Sequence, residues 1–300
     1  TYYSTEFFSA ALSSDMDNTH KIINLLTACK QMNVKVNLPE INQSNYKFLP
    51  LEDSLINYGL GAIKGVGESA AYHIEEIRTS RGKFTGIEDF CSKVNLSTVN
   101  SGTIEALICS GCFDNISSKT RLENLKSLNS YISQGHKKQI DKASGQNELF
   151  SENLDTQHKF ESSTSKRLYK PTNDELIKER KVLGCYLSNH PINAYKNELS
   201  EMKLKTLTEI NNAILNTSNP KFNAIISGVI IDSRSQKISK NKFITIFKVD
   251  DGSQQINISF FEDKYLKYKD SLQEDCILFF SGEVYIDDYD SQLSMKAETL

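Results

Sequence analysis

Apolar residues recur at three- and four-residue spacing through much of the first 200 positions, which is the pattern of an amphipathic helix. This spacing predicts helices within residues 1–38, 55–131 and 172–199. Asp17 and Thr19 stand just before the apolar run of the first segment, and both residue types are good helix N-caps. The first part of the chain is therefore predicted to be mainly helical.

From residue 222 onward the pattern changes to the apolar and β-branched runs that are typical of strands. The dipeptide Asp251-Gly252 separates two such runs and predicts a hairpin turn, and the polar residues 232–242 are predicted to be a loop. Three strands, a short helix at about 264–272 and two further strands follow the order of an OB-fold barrel. The five predicted strands are 222–231, 243–250, 255–261, 276–286 and 292–297.

Between the helical and strand-rich parts, residues 132–171 are rich in Gln, Lys, Ser, Asn, Thr and Glu. This composition predicts a linker or an exposed hairpin. The pair Leu149-Phe150 is unusual in such a segment, because apolar anchors in a mobile stretch are typical of peptides that dock into a groove. Burial of the pair against an adjacent domain is the alternative.

Composition narrows the classes of function. A chain of 300 residues with 38% hydrophobic content can build two or more domains, and its net charge of −3 means that any nucleic-acid contact must come from local features. Six irregularly spaced cysteines, no signal segment and no apolar run of about 20 residues indicate a cytoplasmic protein without a membrane span. The chain starts at Thr1 and stops at Leu300 within a strand-like pattern, so we expect both ends to be cut from a longer protein.

One C-x-x-C occurs, at Cys109 and Cys112. It follows an apolar helix and has no second pair of zinc ligands nearby, so it is interpreted as a helix ending and not as a redox or zinc site.

Residues 58–78 contain the pattern of a helix-hairpin-helix element. Gly65 and Gly67 allow the backbone to approach a phosphate, Val66 would anchor the hairpin in the core, and Lys64 could add a charge. The helix that follows presents free N–H groups and a positive dipole end to an anion. A tight turn without a ligand is the alternative. A second copy at 94–114 lacks the G-x-G hairpin and is expected to serve packing first.

The strand-rich part carries aromatic and basic residues suited to single-stranded nucleic acid, in which bases stack on rings. Phe247 is predicted to be such a stacking residue, although about half of the aromatic side chains must face the core. Binding is expected to be modest, because acidic residues outnumber basic ones in 219–300. The predicted first loop, a usual contact in OB-folds, contains Arg234, Lys237, Lys240 and Lys242.

The stretches YGLGAIKGVGE and FCSKVNLSTVNSGTIEALICSGCFD closely resemble the helix-hairpin-helix part of bacterial DNA polymerase III alpha subunits. AALSSDMDNTHKI and VNLPEINQS resemble the end of the fingers domain in that family, and LGCYLSNHPINAY and the strand-rich end also match. The resemblance covers essentially the whole chain.

This resemblance implies an α+β multidomain protein, with a helical fingers end and tandem helix-hairpin-helix elements followed by a five-stranded OB-fold barrel. It also implies that Gln146, Asn147, Glu148, Leu149 and Phe150 form the internal peptide that binds the sliding clamp. The expected domains are 1–50, the end of the fingers; 51–131, the tandem helix-hairpin-helix domain; 132–171, the linker with the clamp peptide; 172–218, a helical connector; and 219–300, the OB-fold.

The resemblance further implies a DNA-directed DNA polymerase in the full-length protein. Its catalytic aspartates and Mg²⁺ would lie in an upstream palm, so this part carries no catalytic residue and no cofactor of its own. Its expected partners are double- and single-stranded DNA, the sliding clamp and other replicase subunits. In the second hairpin element Ser101 and Gly102 stand where the family usually has basic residues, so phosphate binding by that copy is not expected.

Two alternatives stay open. The chain could belong to an error-prone paralogue of the same family, or it could be a DNA-binding adaptor without an enzyme. The clamp peptide favours the replicative form, and the apparent cut ends argue against a free-standing adaptor.

Overall fold

The computed structural model describes residues 3–52, 54–143, 169–216, 221–239, 242–287 and 292–300. The chain divides into two compact units, Thr1–Asn189 and His190–Leu300. Within the described ranges, no helix is both long enough and apolar enough to cross a membrane.

The first unit contains seven helices among its described residues, with short strands inserted after the second. The helices are α1 (Ser4–Ser14), α2 (Thr19–Gln31), α3 (Glu68–Arg81), α4 (Ile87–Lys93), α5 (Ser101–Cys109), α6 (Arg121–Ala143) and α7 (Asn173–Leu183). The strands are β1 (Lys35–Asn37), β2 (Leu49–Leu51) and β3 (Leu55–Asn57).

The three short strands form a sheet in the order β1-β3-β2, with β1 parallel and β2 antiparallel to β3. The sequence predicts helix up to residue 38 and again from residue 55. The strands β1 and β3 lie within these two ranges and correct that prediction. Three-residue strands are too short to show a two-residue period, and their pairing joins segments about 20 positions apart.

Local capping explains where several helices begin. The side chain of Asn18, which lies between the two predicted caps, accepts a hydrogen bond from the N–H of Lys21 at the start of α2. Thr172 and Glu175 form a capping box at the start of α7, and Gly184 ends that helix in the left-handed conformation. The sequence predicts that Asn189-His190-Pro191 stops the helical pattern of 172–199, and the helix ends before that stop, at Leu183.

The structure also differs from two of the expected domain boundaries. Helix α6 continues to Ala143, so the first part of the expected linker 132–171 is helical. The expected connector 172–218 divides between the two units, since α7 belongs to the first and the later helices to the second.

The second unit opens with a 3₁₀ turn at Pro191–Tyr195 and the helices α8 (Lys196–Glu201) and α9 (Leu207–Leu215). Five strands then form a closed barrel in the order β4-β5-β6-β8-β7, with α10 (Glu262–Tyr268) between β6 and β7. The strands are β4 (Lys221–Ser239), β5 (Lys242–Asp250), β6 (Gln255–Phe261), β7 (Ile277–Ile286) and β8 (Leu293–Thr299). This confirms the predicted OB-fold order.

The predicted loop at 232–242 is wrong. Strand β4 continues through Ser239 and pairs with β5 from Lys242 onward, which makes a long antiparallel ribbon. The residues are polar because most of their side chains on β4 are exposed, and not because the backbone leaves the sheet.

Candidate nucleic-acid interface

The first hairpin connects a 3₁₀ turn at Leu60–Ala62 to α3. Ile63 and Val66 are buried, whereas Lys64, Gly65 and Gly67 are exposed. Gly65 has φ +94°, a left-handed conformation that favours glycine. The backbone of the hairpin is thus exposed between two buried apolar side chains, those of Ile63 and Val66. Val66 is confirmed as a core residue of the hairpin.

The N-terminus of α3 is open toward solvent. Gly67 is the N-cap and no side chain among the described residues caps this helix. A Cβ atom added at Gly67 would meet no protein atom within 4 Å. Free N–H groups and the helix dipole favour an anion here, while the exposed carboxylate of Glu68 in the first turn opposes one.

Two other helices hold the hairpin in place. The Thr103 hydroxyl on α5 donates to the carbonyl of Gly65 at 3.0 Å, and a Cβ at Gly65 would lie 3.3 Å from that of Ala106. The N–H of Lys64 donates to the carbonyl of Val182 on α7 at 2.9 Å. The sequence gives no sign that Thr103 supports the hairpin, because no local pattern links it to a turn 38 positions away.

The second hairpin element uses its polar groups within the protein. Asn100 caps α5 by accepting from the N–H of Thr103, and the N–H of Asn95 donates to Nε2 of His73 at 2.9 Å. Gln139 of α6 donates to the carbonyls of Cys91 and Val94. These contacts support the expectation that this copy serves packing.

A buried ionic cluster joins the turn after α5, the start of α6 and α7, and no local sequence pattern indicates it. Arg121 contacts Asp114 at 2.6 Å and Glu179 at 2.5 Å, with Arg121 2% and Glu179 0% exposed at the side chain. Burial alone would lower the pKa of Arg121, but the two carboxylates raise it above its usual value. The nearby Glu175 accepts the N–H of Leu122, so α7 is fixed to the start of α6.

The C-x-x-C has the properties of core residues. Cys109 and Cys112 are buried free thiols, and burial raises the pKa of Cys109 to about 11 and that of Cys112 to about 12. A reactive cysteine would need the opposite shift.

In the barrel, each aromatic ring's place along its strand and its facing direction together decide whether it is buried or exposed. Phe247 is only 2% exposed and packs edge-on against Phe260 with ring centroids 5.7 Å apart. The prediction that Phe247 stacks on a base is therefore wrong, since its ring belongs to the core. Phe243 and Phe261 are exposed, at 45% and 38%.

Phe261 lies on the outward face shared by β5 and β6, which we call the β5–β6 face. In register it pairs with Ile244, and the Lys296 ammonium lies 5.2 Å from the centre of its ring. The β5–β6 face is formed by Ile244, Ile246, Lys248, Asn257, Ser259 and Phe261. The adjacent aromatic pair 260–261 was a usable signal, because one of two neighbouring strand residues must point outward.

The basic residues predicted for the first loop lie on the ribbon instead. Arg234 and Lys237 are exposed on β4, and the Lys237 ammonium lies 5.9 Å from the ring centre of Phe243. Lys240 and the side chain of Lys242 lie outside the described residues.

The predicted clamp peptide, 146–150, also lies outside the described residues. Among the residues that are described, no group of three or more His, Cys, Asp or Glu side chains could hold a metal ion.

Family comparisons match both units. The model of the helix-hairpin-helix motif matches residues 33–122, and that of the OB-fold nucleic acid binding domain matches residues 224–300.

Whole-chain relatives carry one shared name. The chain is 34% identical to the DNA polymerase III subunit alpha of Pasteurella multocida over 100% of its own length and 25% of that protein. It is 32% identical to the subunits of Vibrio cholerae and of Escherichia coli K12, in each case over 99% of this chain and 25% of the relative. The chain thus spans about a quarter of the length of these relatives. A solved structure of RecG bound to a three-way DNA junction aligns at 14% identity with a TM-score of 0.24, too low to support an argument.

Proposed function

We propose that this chain, which matches the helix-hairpin-helix and OB-fold part of DNA polymerase III alpha subunits, is the DNA-holding part of a replicative DNA-directed DNA polymerase. The observation that carries the proposal is the exposed first hairpin at the uncapped start of α3. In the longer protein, primer extension and the Mg²⁺ that it requires would be the work of a separate catalytic domain.

The first hairpin would hold duplex DNA through its phosphates. Gly65 permits the tight backbone turn, and the open space beside Gly67 lets a phosphate oxygen reach the first N–H groups of α3. Lys64 is exposed next to the turn and supplies the positive charge that the helix end alone lacks. Contacts of this kind position the duplex without reading its sequence.

The barrel would hold single-stranded template on the β5–β6 face. Phe261 offers a ring for stacking and Lys296 a charge for the backbone on this face. Lys237 and Phe243 offer a second ring and charge on the opposite face of the ribbon, because Phe243 neighbours Ile244 on β5. Phe247 is no longer assigned to DNA binding, because its ring is buried. Lys240 and Lys242 are assigned to DNA binding from the sequence alone.

Residues 146–150 would bind the sliding clamp, with Gln146 donating and accepting hydrogen bonds and with Leu149 and Phe150 filling an apolar pocket. The support is the family resemblance together with the apolar pair in a polar segment. A cytoplasmic location and contacts with other replicase subunits follow from the same proposal.

The glycine positions give a matched test of the hairpin. Gly67→Leu adds bulk where the fold leaves open space, at a φ of −75° that any residue adopts, so the fold should be kept and the phosphate excluded. Gly86→Leu is the control, because Gly86 is also a helix N-cap with no atom within 4 Å of an added Cβ.

Duplex affinity would be titrated at several salt concentrations for both variants. Gly67→Leu should weaken binding and flatten the salt dependence, whose slope is roughly −0.9 per neutralised phosphate, and Gly86→Leu should bind as the parent does. Equal affinity of the two variants would show that the hairpin is only a structural turn.

A further inference from the structure

The segment between β1 and β2 contains a tight loop, residues 40–46, that has a folded shape of its own. The carbonyl of Glu40 accepts the N–H groups of Gln43 at 3.1 Å and Ser44 at 2.8 Å, and the Ser44 hydroxyl accepts the N–H of Glu40 at 3.0 Å. Ile41 and Ser44 are buried. Loop 40–46 is therefore a defined element and not a loose connection between two strands.

Arg78 on α3 holds this loop through its guanidinium group. Its Nη1 donates to the carbonyls of Ile41 and Ser44, each at 2.9 Å, and its Nη2 donates to Oδ1 of Asn45 at 2.7 Å. The planar guanidinium presents its N–H groups in fixed directions, so these three acceptors fix the loop in orientation as well as in distance.

Tyr46, at the end of loop 40–46, contacts both arms of the first hairpin. On the side of α3, its N–H donates to the carboxylate of Glu75, and its ring lies against that of Tyr72 with the centroids 5.0 Å apart. On the side of the 3₁₀ turn, its carbonyl accepts the N–H of Gly61 at 2.9 Å. One residue of the loop thus connects the two arms.

The 3₁₀ turn approaches the loop closely. The N–H of Leu60 donates to the carbonyl of Asn45 at 2.8 Å. A Cβ atom added at Gly61 would collide with the ring of Tyr46. Gly61 is not among the glycines with positive φ, so space and not backbone conformation requires a glycine there.

We propose that loop 40–46 sets the angle between the two arms of the first hairpin, and that Arg78 is a positioning residue that acts through this loop. Residues 64–67 join the arms, and the first N–H groups of α3 follow directly. These N–H groups keep one direction relative to the turn only while the arms are fixed. The consequence for DNA rests on the proposed function: a preorganised hairpin needs less ordering when a phosphate binds.

Arg78→Lys tests the loop while the charge on α3 is kept. A single ammonium group cannot hold the carbonyls of Ile41 and Ser44 and the Asn45 side chain in the directions that the guanidinium fork gives. Arg81→Lys is the matched control, because Arg81 lies on the same helix, is exposed and donates to the carbonyl of Lys93 at 3.1 Å.

The readout without DNA is the pair of amide resonances of Gly65 and Gly67 in the full chain with isotope-labelled glycine, well below the unfolding temperature. Arg78→Lys should shift or broaden both, while the resonance of Gly135, which packs against Cys91, stays in place. Arg81→Lys should leave all three unchanged. If Arg78→Lys lowers only the unfolding temperature and leaves the hairpin resonances at their parent positions, the proposal is overturned.

A second pair of variants decides the question if Arg78→Lys does not fold. Gly61→Ala should push the 3₁₀ turn away from Tyr46 and move the same two resonances. In a Tyr46→Ala background the ring is absent, so Gly61→Ala should have a much smaller effect, which is the non-additivity expected of residues in contact. Equal effects in the two backgrounds would contradict a role for loop 40–46.

Titration with DNA then distinguishes this inference from the proposed function. Arg78→Lys should bind a blunt duplex several-fold more weakly than Arg81→Lys, and both should bind a single-stranded oligonucleotide as the parent does. If the parent binds no duplex, the proposed function fails, while the glycine resonances still decide the role of Arg78. If the resonances move and the two variants bind duplex equally, the consequence for DNA binding is wrong.

Discussion

Neighbouring phenylalanines in the barrel show how one position along a strand separates core from surface. Phe260 is fully buried and Phe261 is exposed, although both belong to β6. Phe247 is also a phenylalanine in an apolar strand, but the register of β5 turns its side chain inward. At the residue scale, the direction in which a side chain points decides whether it can contact DNA, and residue type alone does not.

This contrast predicts opposite effects for two alanine substitutions. Phe261→Ala should leave the thermal unfolding of the barrel nearly unchanged and weaken binding of single-stranded DNA by ~1–3 kcal/mol, because a stacking ring is lost. Phe247→Ala should instead destabilise the barrel by about 3–5 kcal/mol through the cavity that it leaves.

Calorimetry and fluorescence titration with an oligonucleotide would be measured on both variants. Loss of DNA affinity in a fully folded Phe247→Ala protein, with Phe261→Ala unaffected, would reverse the assignment of the binding face.

At the scale of elements, the ionic cluster ties three segments of the first unit together. Arg121 stands at the start of α6, Glu179 lies on α7, and Asp114 lies in the turn after α5. Since Glu179 also accepts the N–H of Ser188, the cluster holds the segment that follows α7 as well.

Removal of the arginine should be costly because it leaves two buried carboxylates without their partner. Arg121→Ala is expected to lower the free energy of unfolding of the first unit by about 3–5 kcal/mol. Lys21→Ala, which breaks an exposed pair with Asp15, should change it little.

Chemical denaturation monitored by circular dichroism would compare these two variants. Similar midpoints for both would show that the buried cluster contributes no more than a surface pair does.

At the scale of the whole molecule, three contacts with the replication machinery are proposed along one chain: the hairpin, the clamp peptide and the barrel. We expect the hairpin and barrel contacts to be modest, because Glu68 opposes an anion at the hairpin and acidic residues outnumber basic ones in 219–300. Their linkage through one chain is what would make the assembly hold DNA firmly.

Substitutions in the clamp peptide should lower affinity for the clamp without changing affinity for DNA. Leu149→Ala combined with Phe150→Ala should lower clamp affinity by ~1–2 kcal/mol or more for each anchor, if both act as hot spots. Duplex affinity without the clamp should stay unchanged. A matched control is Asn153→Ala, a polar change in the same segment.

Calorimetric titration of the clamp with the parent and both variants would measure this effect. Equal affinities for the double variant and the parent would mean that the pair packs within the protein and that the family resemblance fails at this site.

The amino-acid sequence by itself determined the features that depend on neighbours along the chain. The mainly helical character of the first unit, the turn at Asp251-Gly252 and the order of the barrel strands along the chain are local patterns that the sequence predicts. The same spacing missed the short strands β1 and β3. The exposed glycine hairpin on the buried Val66 followed from the same kind of pattern.

Only the tertiary structure decided which side chains meet across long separations. Thr103 supports Gly65 from 38 positions away, and Arg121 reaches Glu179 across 58. The long ribbon of β4 and the inward turn of Phe247 likewise depend on pairing between strands. Hydrogen bonds and burial between distant segments leave no periodic trace in a single sequence, so these features became visible only when the chain was folded.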